Sequence, residues 1–204
     1  MFKILFAVGF IFYINVGFSE TIAKNSNRDV TLVEYYDYEC PHCRRMEPVI
    51  ESLEAQYPNL HVVYRVTPLL TPASRVIASV ALAVAAQNKK SGAEIHSQLM
   101  QLNATPTMND ALYIANTLGF SSNALLNSMQ NQRIQNQINQ NITSAKTRAI
   151  NGAIYLPILV FTQSNGQGQS IVLTGEQPPV LLSAIVKQLG DYDVQMVKNK
   201  KEAG

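Results

Sequence analysis

Cysteine is almost absent from this sequence, whose 204 residues contain two, Cys40 and Cys43. So small a number excludes the framework of several disulfides that stabilises many secreted domains. A bridge between these two would close a loop of four residues, which stabilises little because the gain grows with loop length. A closed zinc site needs two further Cys or His ligands at paired spacing. His61 and His96 are isolated in the sequence, so we expect no metal and no cofactor.

Net charge is also small. The formal charge is +2 at pH 7, which excludes a strong electrostatic attraction to nucleic acid or to an anionic membrane surface. With 47% apolar residues, the chain can fill the core of one sizeable domain. Residues 193–204, which are rich in lysine, are expected to form a flexible tail.

A hydrophobic run long enough to cross a membrane is missing as well. The chain begins with Met1-Phe2-Lys3, continues with an apolar run at 4–14, and reaches the small-residue pattern Gly17-Phe18-Ser19. A bilayer span needs roughly 20 apolar residues, so this layout predicts a cleavable secretory signal peptide over 1–19 rather than an uncleaved anchor. We therefore expect the mature protein to be exported.

What the sequence does contain is an α/β pattern in two parts. A β-α-β unit comes first, with its elements at 30–38, about 40–57 and 60–66. A β-β-α unit comes last, with its elements at 158–161, 170–173 and 179–189, and a turn at 164–168 joins its strands. The patterns between the two units are helical, at 72–88, 93–102, 109–118 and 122–148.

Neither β unit makes a stable sheet alone. We therefore predict an α/β fold whose central mixed sheet is built from residues 20–70 and 150–192 and is interrupted by an all-helical insertion at 71–149. The two cysteines then follow the first strand, at the edge of the sheet where reactive groups gather because the amino termini of helices converge there.

Cys40-Pro41-His42-Cys43 places the two cysteines three positions apart at the start of the first helix. Cys40 falls at the N-cap and Pro41 at the first helical position, where proline is tolerated. Helix-terminal N–H groups and His42 favour a thiolate, so we expect the pKa of Cys40 to lie at roughly 3.5–7.5 rather than about 8.5. The pattern predicts a thiol-disulfide oxidoreductase in which Cys40 is the nucleophile and the more buried Cys43 resolves the mixed disulfide. The alternative for His42 is an exposed turn residue without a role.

Glu34 is an unusual residue for its strand, because it directly follows Leu32 and Val33. If it is buried beneath the dithiol, its carboxyl group relays protons or tunes the pKa of the sulfurs. The alternative is an exposed position at the edge of the sheet. Pro48 falls inside the first helix and is expected to kink it.

Residues 34–43, Glu-Tyr-Tyr-Asp-Tyr-Glu-Cys-Pro-His-Cys, resemble the active-site segment of the DsbA family, the periplasmic thiol oxidases of bacteria. Pro48 is similar to a proline that the thioredoxin fold carries at the same distance from its second cysteine. The helical insertion between two halves of the sheet also resembles the layout of this family. The resemblance covers essentially the whole mature chain and implies a thioredoxin fold with a redox-active Cys40–Cys43 disulfide.

The resemblance also implies roles for residues outside the tetrapeptide. Leu156-Pro157 matches a cis proline that faces the dithiol and helps to hold the substrate backbone, with Leu156 shaping the substrate groove. Glu34 matches a buried acid of the family that is often paired with a lysine on the neighbouring strand. Residues 60–66 contain no lysine, and Arg65 is their one cation.

Together these observations predict an exported, monomeric oxidase that donates its disulfide to reduced, unfolded or partly folded exported proteins in the periplasm of a Gram-negative bacterium. The resemblance implies reoxidation by a quinone-linked membrane partner of the DsbB type. One alternative is a disulfide isomerase or reductase. Such enzymes usually carry a separate N-terminal dimerisation domain, whereas about ten residues separate the predicted leader from the first strand here. The other alternative is a non-enzymatic binding protein or chaperone that uses the apolar surface of the insertion.

Overall fold

The computed structural model describes residues 28–163 and 170–190 of the chain. The predicted signal peptide, the C-terminal tail and the turn at 164–168 lie outside the described residues. Within them the elements follow in the order β1 (Val30–Tyr36), α1 (Pro41–Gln56), β2 (Leu60–Val66), α2 (Pro72–Gln87), α3 (Lys89–Met100), α4 (Met108–Thr117), α5 (Ser122–Met129), α6 (Gln132–Lys146), β3 (Ile158–Gln163), β4 (Ile171–Thr174) and α7 (Pro179–Gly190). None of these helices is long and apolar enough to cross a membrane.

One mixed sheet contains all four of these strands, in the order β2-β1-β3-β4. β1 pairs in parallel with β2 and antiparallel with β3, and β3 pairs antiparallel with β4. Since β1 and β2 precede the long helical stretch and β3 and β4 follow it, two separate parts of the chain complete one sheet. The predicted α/β fold with an interrupted sheet is confirmed.

Both faces of the sheet are covered, because alternate residues of the central strands point to opposite sides. On one side Leu32 belongs to an apolar cluster with Ile50 of α1 and the buried face of α7. On the other side Tyr35 belongs to a larger cluster that includes the buried faces of α2–α6. Cys40 and Cys43 belong to this second cluster, so the dithiol lies where the sheet, α1 and the inserted helices meet.

The helices between β2 and β3 form largely where the sequence predicts them, but the prediction of one helix over 122–148 is wrong. The chain forms α5 and α6 there, with Gln130 and Asn131 between them. The side-chain oxygen of Asn131 accepts a hydrogen bond from the N–H of Arg133 at 2.9 Å. Asparagine caps a helix better than it continues one, because its side chain competes for backbone N–H groups. Apolar residues at helical spacing, Leu125 and Met129 before the break and Ile134 and Ile138 after it, continue on both sides, so the pattern predicted one helix.

Local capping also moves two other element ends. α3 begins earlier than predicted, because the side chain of Asn88 accepts the N–H of Ser91 at 3.1 Å. β1 ends at Tyr36 rather than at 38, because Asp37 begins a turn in which its carbonyl accepts the N–H of Cys40 at 3.0 Å. This turn sets the position of Cys40 at the beginning of α1.

Candidate redox site

The two cysteines lie at the start of α1 as free thiols. Cys40 is the N-cap residue, and its sulfur accepts the backbone N–H of Cys43 at 3.4 Å. Pro41 takes the first helical position, as the sequence predicts. Cys40 is 4% exposed whereas Cys43 is completely buried. Of the two cysteines, Cys40, the predicted nucleophile, is the one that keeps a small exposed surface.

The surroundings of Cys40 lower its pKa to about 6. The largest cause is the side-chain hydrogen bond from Cys43, which burial of the Cys40 sulfur opposes. The backbone N–H groups of Cys43 and His42 and the charge of His42 lower the pKa further. The value lies within the range expected from the sequence. Sequence reasoning counted the helix N–H groups and His42, but it did not count the second thiol.

Cys43 is shifted in the opposite direction. Burial strongly raises the pKa of Cys43, and its hydrogen bond to Cys40 and the negative charges of Cys40 and Glu34 raise it further. At neutral pH the Cys40 sulfur is therefore mostly ionised while the Cys43 sulfur keeps its proton. The reduced dithiol carries its negative charge on the sulfur of Cys40, the less buried of the two cysteines.

A second chain segment faces the dithiol from the start of β3. The Leu156–Pro157 peptide bond is cis, the form that the resemblance implies. The sulfur of Cys40 lies 3.9 Å from the backbone oxygen of Leu156. The carbonyl of Pro157 accepts the N–H of Gly175 at 2.8 Å, and Gly175 has a φ of +74°, which glycine adopts readily because it has no Cβ. These contacts place the proline segment and the loop after β4 beside the start of α1.

A groove of about 860 Å³ opens between these segments. Its lining includes the predicted site residues Cys40, Pro41, His42 and Leu156. The rest of the lining is largely apolar and comes from Leu69, Leu70, Gly152, Ile154, Tyr155, Gly175 and Glu176. Leu70 and Tyr155 are 51% and 55% exposed. The sulfur of Cys40 is thus flanked by apolar side chains that are open to another molecule.

Asp37 positions this groove and was missed by sequence reasoning. Its buried carboxylate accepts backbone N–H groups from Glu39 at 3.0 Å, Leu69 at 2.8 Å and Leu70 at 3.0 Å. It thereby ties the turn before α1 to the loop after β2. An aspartate at the end of a strand, just before a helix start, was an available signal, because aspartate commonly accepts local backbone N–H groups in turns.

Glu34 is completely buried in a central strand, so the alternative of an exposed edge position is wrong. Neither of its carboxyl oxygens has a hydrogen-bond partner among the described residues. Burial raises the pKa of Glu34 well above its usual range, and the charges of Glu47 and Cys40 raise it further. The site therefore favours the protonated acid. Arg65 is paired with Tyr35 rather than with Glu34 in the strand register, and it donates to the Tyr35 hydroxyl at 3.3 Å, so it faces away from Glu34.

Glu47, a second buried acid, lies one turn after Cys43. Its partner is His96, for which the sequence alone indicated no partner. Nε2 of His96, on α3, lies 3.0 Å from Oε1 of Glu47, on α1. The imidazole packs against the rings of Tyr36 and Tyr64, with centroid separations of 4.8 and 4.3 Å. The two partners are 49 positions apart and meet only when α3 packs on α1. Within 28–163 and 170–190, no group of three or more His, Cys, Asp or Glu side chains is placed to hold a metal ion.

His42 lies on the exposed side of the dithiol and is not free of contacts. Its Nδ1 lies 2.5 Å from Oε1 of Glu176, in the loop between β4 and α7. Sequence reasoning gave Glu176 no role. The two residues are 134 positions apart, and only the packing of that loop against α1 brings them together.

Known proteins share this fold and this arrangement of elements. A family model for the DSBA-like thioredoxin domain matches residues 31–186. The solved structure of a thioredoxin-like oxidoreductase from Silicibacter pomeroyi DSS-3 is 29% identical, with a TM-score of 0.66 over 80% of this chain and 88% of that chain. The thiol-disulfide exchange protein alpha-DsbA2 from Wolbachia pipientis shares the fold at 23% identity, with a TM-score of 0.67 over 81% of this chain and 84% of that chain.

A curated relative is matched over a shorter stretch. The chain is 30% identical over 127 residues to the protein named Na(+)/H(+) antiporter NhaA 3 of Salinispora tropica. The match covers 60% of this chain and 19% of that protein. The chain therefore spans less than a fifth of the length of this relative, and the similarity concerns one segment of it.

Proposed function

The chain belongs to the DSBA-like thioredoxin family of thiol-disulfide oxidoreductases, and we propose that it is an exported oxidase that donates the Cys40–Cys43 disulfide to reduced, unfolded or partly folded proteins. The observation that carries this proposal is the unequal environment of the two sulfurs. Cys40 lines the groove with a pKa lowered to about 6, whereas burial raises the pKa of Cys43. A stabilised thiolate favours the reduced dithiol, and a disulfide whose reduced form is stabilised is an oxidant.

The proposed reaction has two exchange steps. A substrate thiolate attacks the sulfur of Cys40, the Cys40–Cys43 bond breaks, and its electron pair leaves on the sulfur of Cys43, which takes up a proton. A second thiolate of the substrate then attacks the substrate sulfur of this mixed disulfide, and Cys40 leaves as a thiolate. The substrate loses two electrons and two thiol protons. The dithiol gains both electrons and one proton, and the other proton goes to solvent.

Glu34 is the proposed source of the proton that Cys43 takes up, and one of the two protons that the substrate thiols release restores the acid. Burial disfavours a thiolate at Cys43, so this leaving group needs a proton as the disulfide breaks. Glu34 is a buried acid whose surroundings favour its protonated form, and once ionised its charge raises the pKa of Cys43. In this proposal Glu34 supplies the proton of the second sulfur, and its charge is coupled to that of Cys40 as well.

The groove is the proposed substrate site. An extended segment of an unfolded protein places its backbone along Leu156 and Pro157. The carbonyl oxygen of Leu156 lies beside the sulfur of Cys40, and the peptide bond between Leu156 and Pro157 is cis. Its apolar side chains contact the exposed surfaces of Leu70 and Tyr155. Backbone contacts of this kind accept many sequences, which suits an enzyme that acts on varied clients.

Completion of the cycle requires an acceptor for the two electrons. The proposed acceptor is a membrane partner of the DsbB type that passes them to a quinone. The proposal also includes export to the periplasm of a Gram-negative bacterium and action as a monomer.

The test is the equilibrium of the Cys40–Cys43 disulfide with glutathione, combined with the oxidation of a reduced peptide that contains two cysteines. We expect glutathione to reduce the oxidised protein readily. The oxidised protein should oxidise one molar equivalent of the peptide. Cys40→Ala should neither react with glutathione in this way nor oxidise the peptide. A disulfide that glutathione does not reduce would indicate a reductase, and reactivation of a protein with scrambled disulfides would indicate an isomerase. Equal peptide oxidation by wild type and Cys40→Ala would favour a binding protein.

A further inference from the structure

Glu176 faces the dithiol from the loop between β4 and α7, and contacts on both sides hold this loop. The N–H of Gly175 donates to the carbonyl of Pro157 at 2.8 Å. The N–H of Gln177 lies 3.4 Å from the sulfur of Met46 in α1. The backbone that carries Glu176 is thus fixed to the proline segment on one side and to α1 on the other. Its carboxylate has a defined position beside the start of α1.

One oxygen of this carboxylate contacts two basic side chains in the first turns of α1. Oε1 of Glu176 lies 2.5 Å from Nδ1 of His42 and 2.9 Å from Nε of Arg45. The hydrogen bond from Arg45, followed by the contact with His42, lowers the pKa of Glu176 to about 2. Glu176 is therefore ionised throughout the pH range in which Cys40 titrates.

Both basic side chains act electrostatically on Cys40. The charge of His42 lowers the pKa of Cys40. The pKa of Arg45 is raised, mainly by its hydrogen bond to Glu176, and the negative charge of Cys40 adds to the rise. Without Glu176, each of these two charges would stabilise the Cys40 thiolate without a counter-ion.

Other charged side chains near the dithiol are engaged elsewhere. The carboxylate of Glu39 accepts hydrogen bonds from Thr71 and Ser74 at the start of α2. Arg44 donates at 3.4 Å to the carbonyl of Met100 at the end of α3. Glu34 and Glu47 are buried and do not line the groove. Among the residues that the structure describes, Glu176 is the carboxylate that lines the groove together with Cys40.

We propose that Glu176 is a positioning residue that opposes His42 and Arg45, limits how far they stabilise the Cys40 thiolate, and so makes the disulfide a milder oxidant. The inference rests on the proposed function, because thiolate stability has a redox consequence only in a dithiol that is oxidised and reduced. The sign follows from Coulomb's law, since a negative carboxylate shares the groove with a negative sulfur. All three charged side chains are exposed, so the effect is modest and depends on salt.

The test is Glu176→Gln, which removes the charge and keeps the size and the hydrogen-bonding capacity of the side chain. The ultraviolet absorbance of the thiolate in the reduced protein is titrated at low salt. At about pH 5, where an imidazole is protonated, we expect the ratio of thiolate to thiol at Cys40 to rise about two- to fivefold. In about 1 M salt the rise should shrink, because salt screens exposed charges. In a His42→Ser background, Arg45 alone should still give an increase.

Glu54→Gln is the matched control, because it removes the same charge from an exposed position later in α1. It should leave the titration of Cys40 unchanged. An equal rise in Glu54→Gln, or none in Glu176→Gln, overturns the inference. The titration requires no catalysis, so the two proposals fail separately. If the wild-type protein does not exchange its disulfide with glutathione, the proposed function is wrong. If exchange is normal but Cys40 titrates identically in wild type and Glu176→Gln, only the inferred role of Glu176 is wrong.

Discussion

Replacing Cys43 by alanine should reduce the ionisation of Cys40, although the nucleophile itself is unchanged. The side-chain hydrogen bond from Cys43 contributes most to the low pKa of Cys40. The backbone N–H of residue 43 also approaches that sulfur, at 3.4 Å, and it remains after the substitution. The Cys43→Ala variant therefore isolates the contribution of the side-chain donor.

The size of the effect follows from the strength of that bond. A hydrogen bond to a charged acceptor contributes about 1.5–3 kcal/mol, and a thiol is a weak donor, so the lower figure of about 1.5 kcal/mol applies. One pKa unit corresponds to about 1.4 kcal/mol. The pKa of Cys40 should therefore rise by about one unit from its value of about 6. At about pH 5 the thiolate fraction should fall roughly tenfold.

Thiolate absorbance and the pH dependence of alkylation by iodoacetamide both measure this pKa. Cys43→Ser is the matched control, because serine keeps an O–H donor at the same position. Its Cys40 should titrate close to that of the reduced wild-type protein. The reasoning is refuted if Cys43→Ala titrates like wild type, or if Cys43→Ser titrates like Cys43→Ala. In the first case the backbone N–H groups and His42 would have to carry the shift, and in the second case the effect of Cys43 would not come from hydrogen-bond donation.

Two buried acids give predictions for stability. The folded-state pKa of Glu34 is raised, so above about pH 4.3 the unfolded chain releases a proton that the folded chain keeps, and stability falls with rising pH by up to about 1.4 kcal/mol per unit. Glu34→Gln should remove this loss, and urea unfolding that shows the same pH dependence in both proteins would contradict it. His96→Leu leaves the buried Glu47 without its hydrogen-bond partner at 3.0 Å and should cost about 1–3 kcal/mol in the free energy of unfolding. A smaller loss than about 1 kcal/mol, or no recovery in His96→Leu/Glu47→Leu, would argue against a stabilising contact between the two side chains.

The features that the sequence predicts well are determined by residues that are close to one another in the sequence. The position of Cys40 at the N-cap and of Pro41 at the first helical position follows from local helix chemistry, and the structure shows both. The two β units were recognisable from short apolar runs, and the need for each to find partners predicted one shared sheet. Capping by Asn131 was equally local, but the apolar stripe on either side of it favoured a continuous helix.

The parts of the site that escaped prediction are contacts between distant segments. Glu47 and His96 meet because α3 packs on α1, and Glu176 reaches His42 because the loop after β4 packs on α1. Each of these residues taken alone looks like an ordinary residue on a polar surface. Their charges acquire a function only from burial or from a partner, and both depend on how the helices and loops pack.

The ionisable side chains around the dithiol, an exposed group and the buried Glu34, respond to different variables. His42, Arg45 and Glu176 are exposed, and at about 1 M salt the Debye length of about 3 Å screens them. Glu34 is buried and its pKa is raised, so salt affects it little and the pH dependence of stability reveals it instead. A pKa of about 6 at the nucleophile, against about 8.5 for a free thiol, favours the reduced form at pH 7 by at most about 1.4 kcal/mol, or about 30 mV, before solvent screening. Because the exposed group acts on that sulfur through screened charges, ionic strength should change the redox equilibrium while leaving the pH dependence of stability in place.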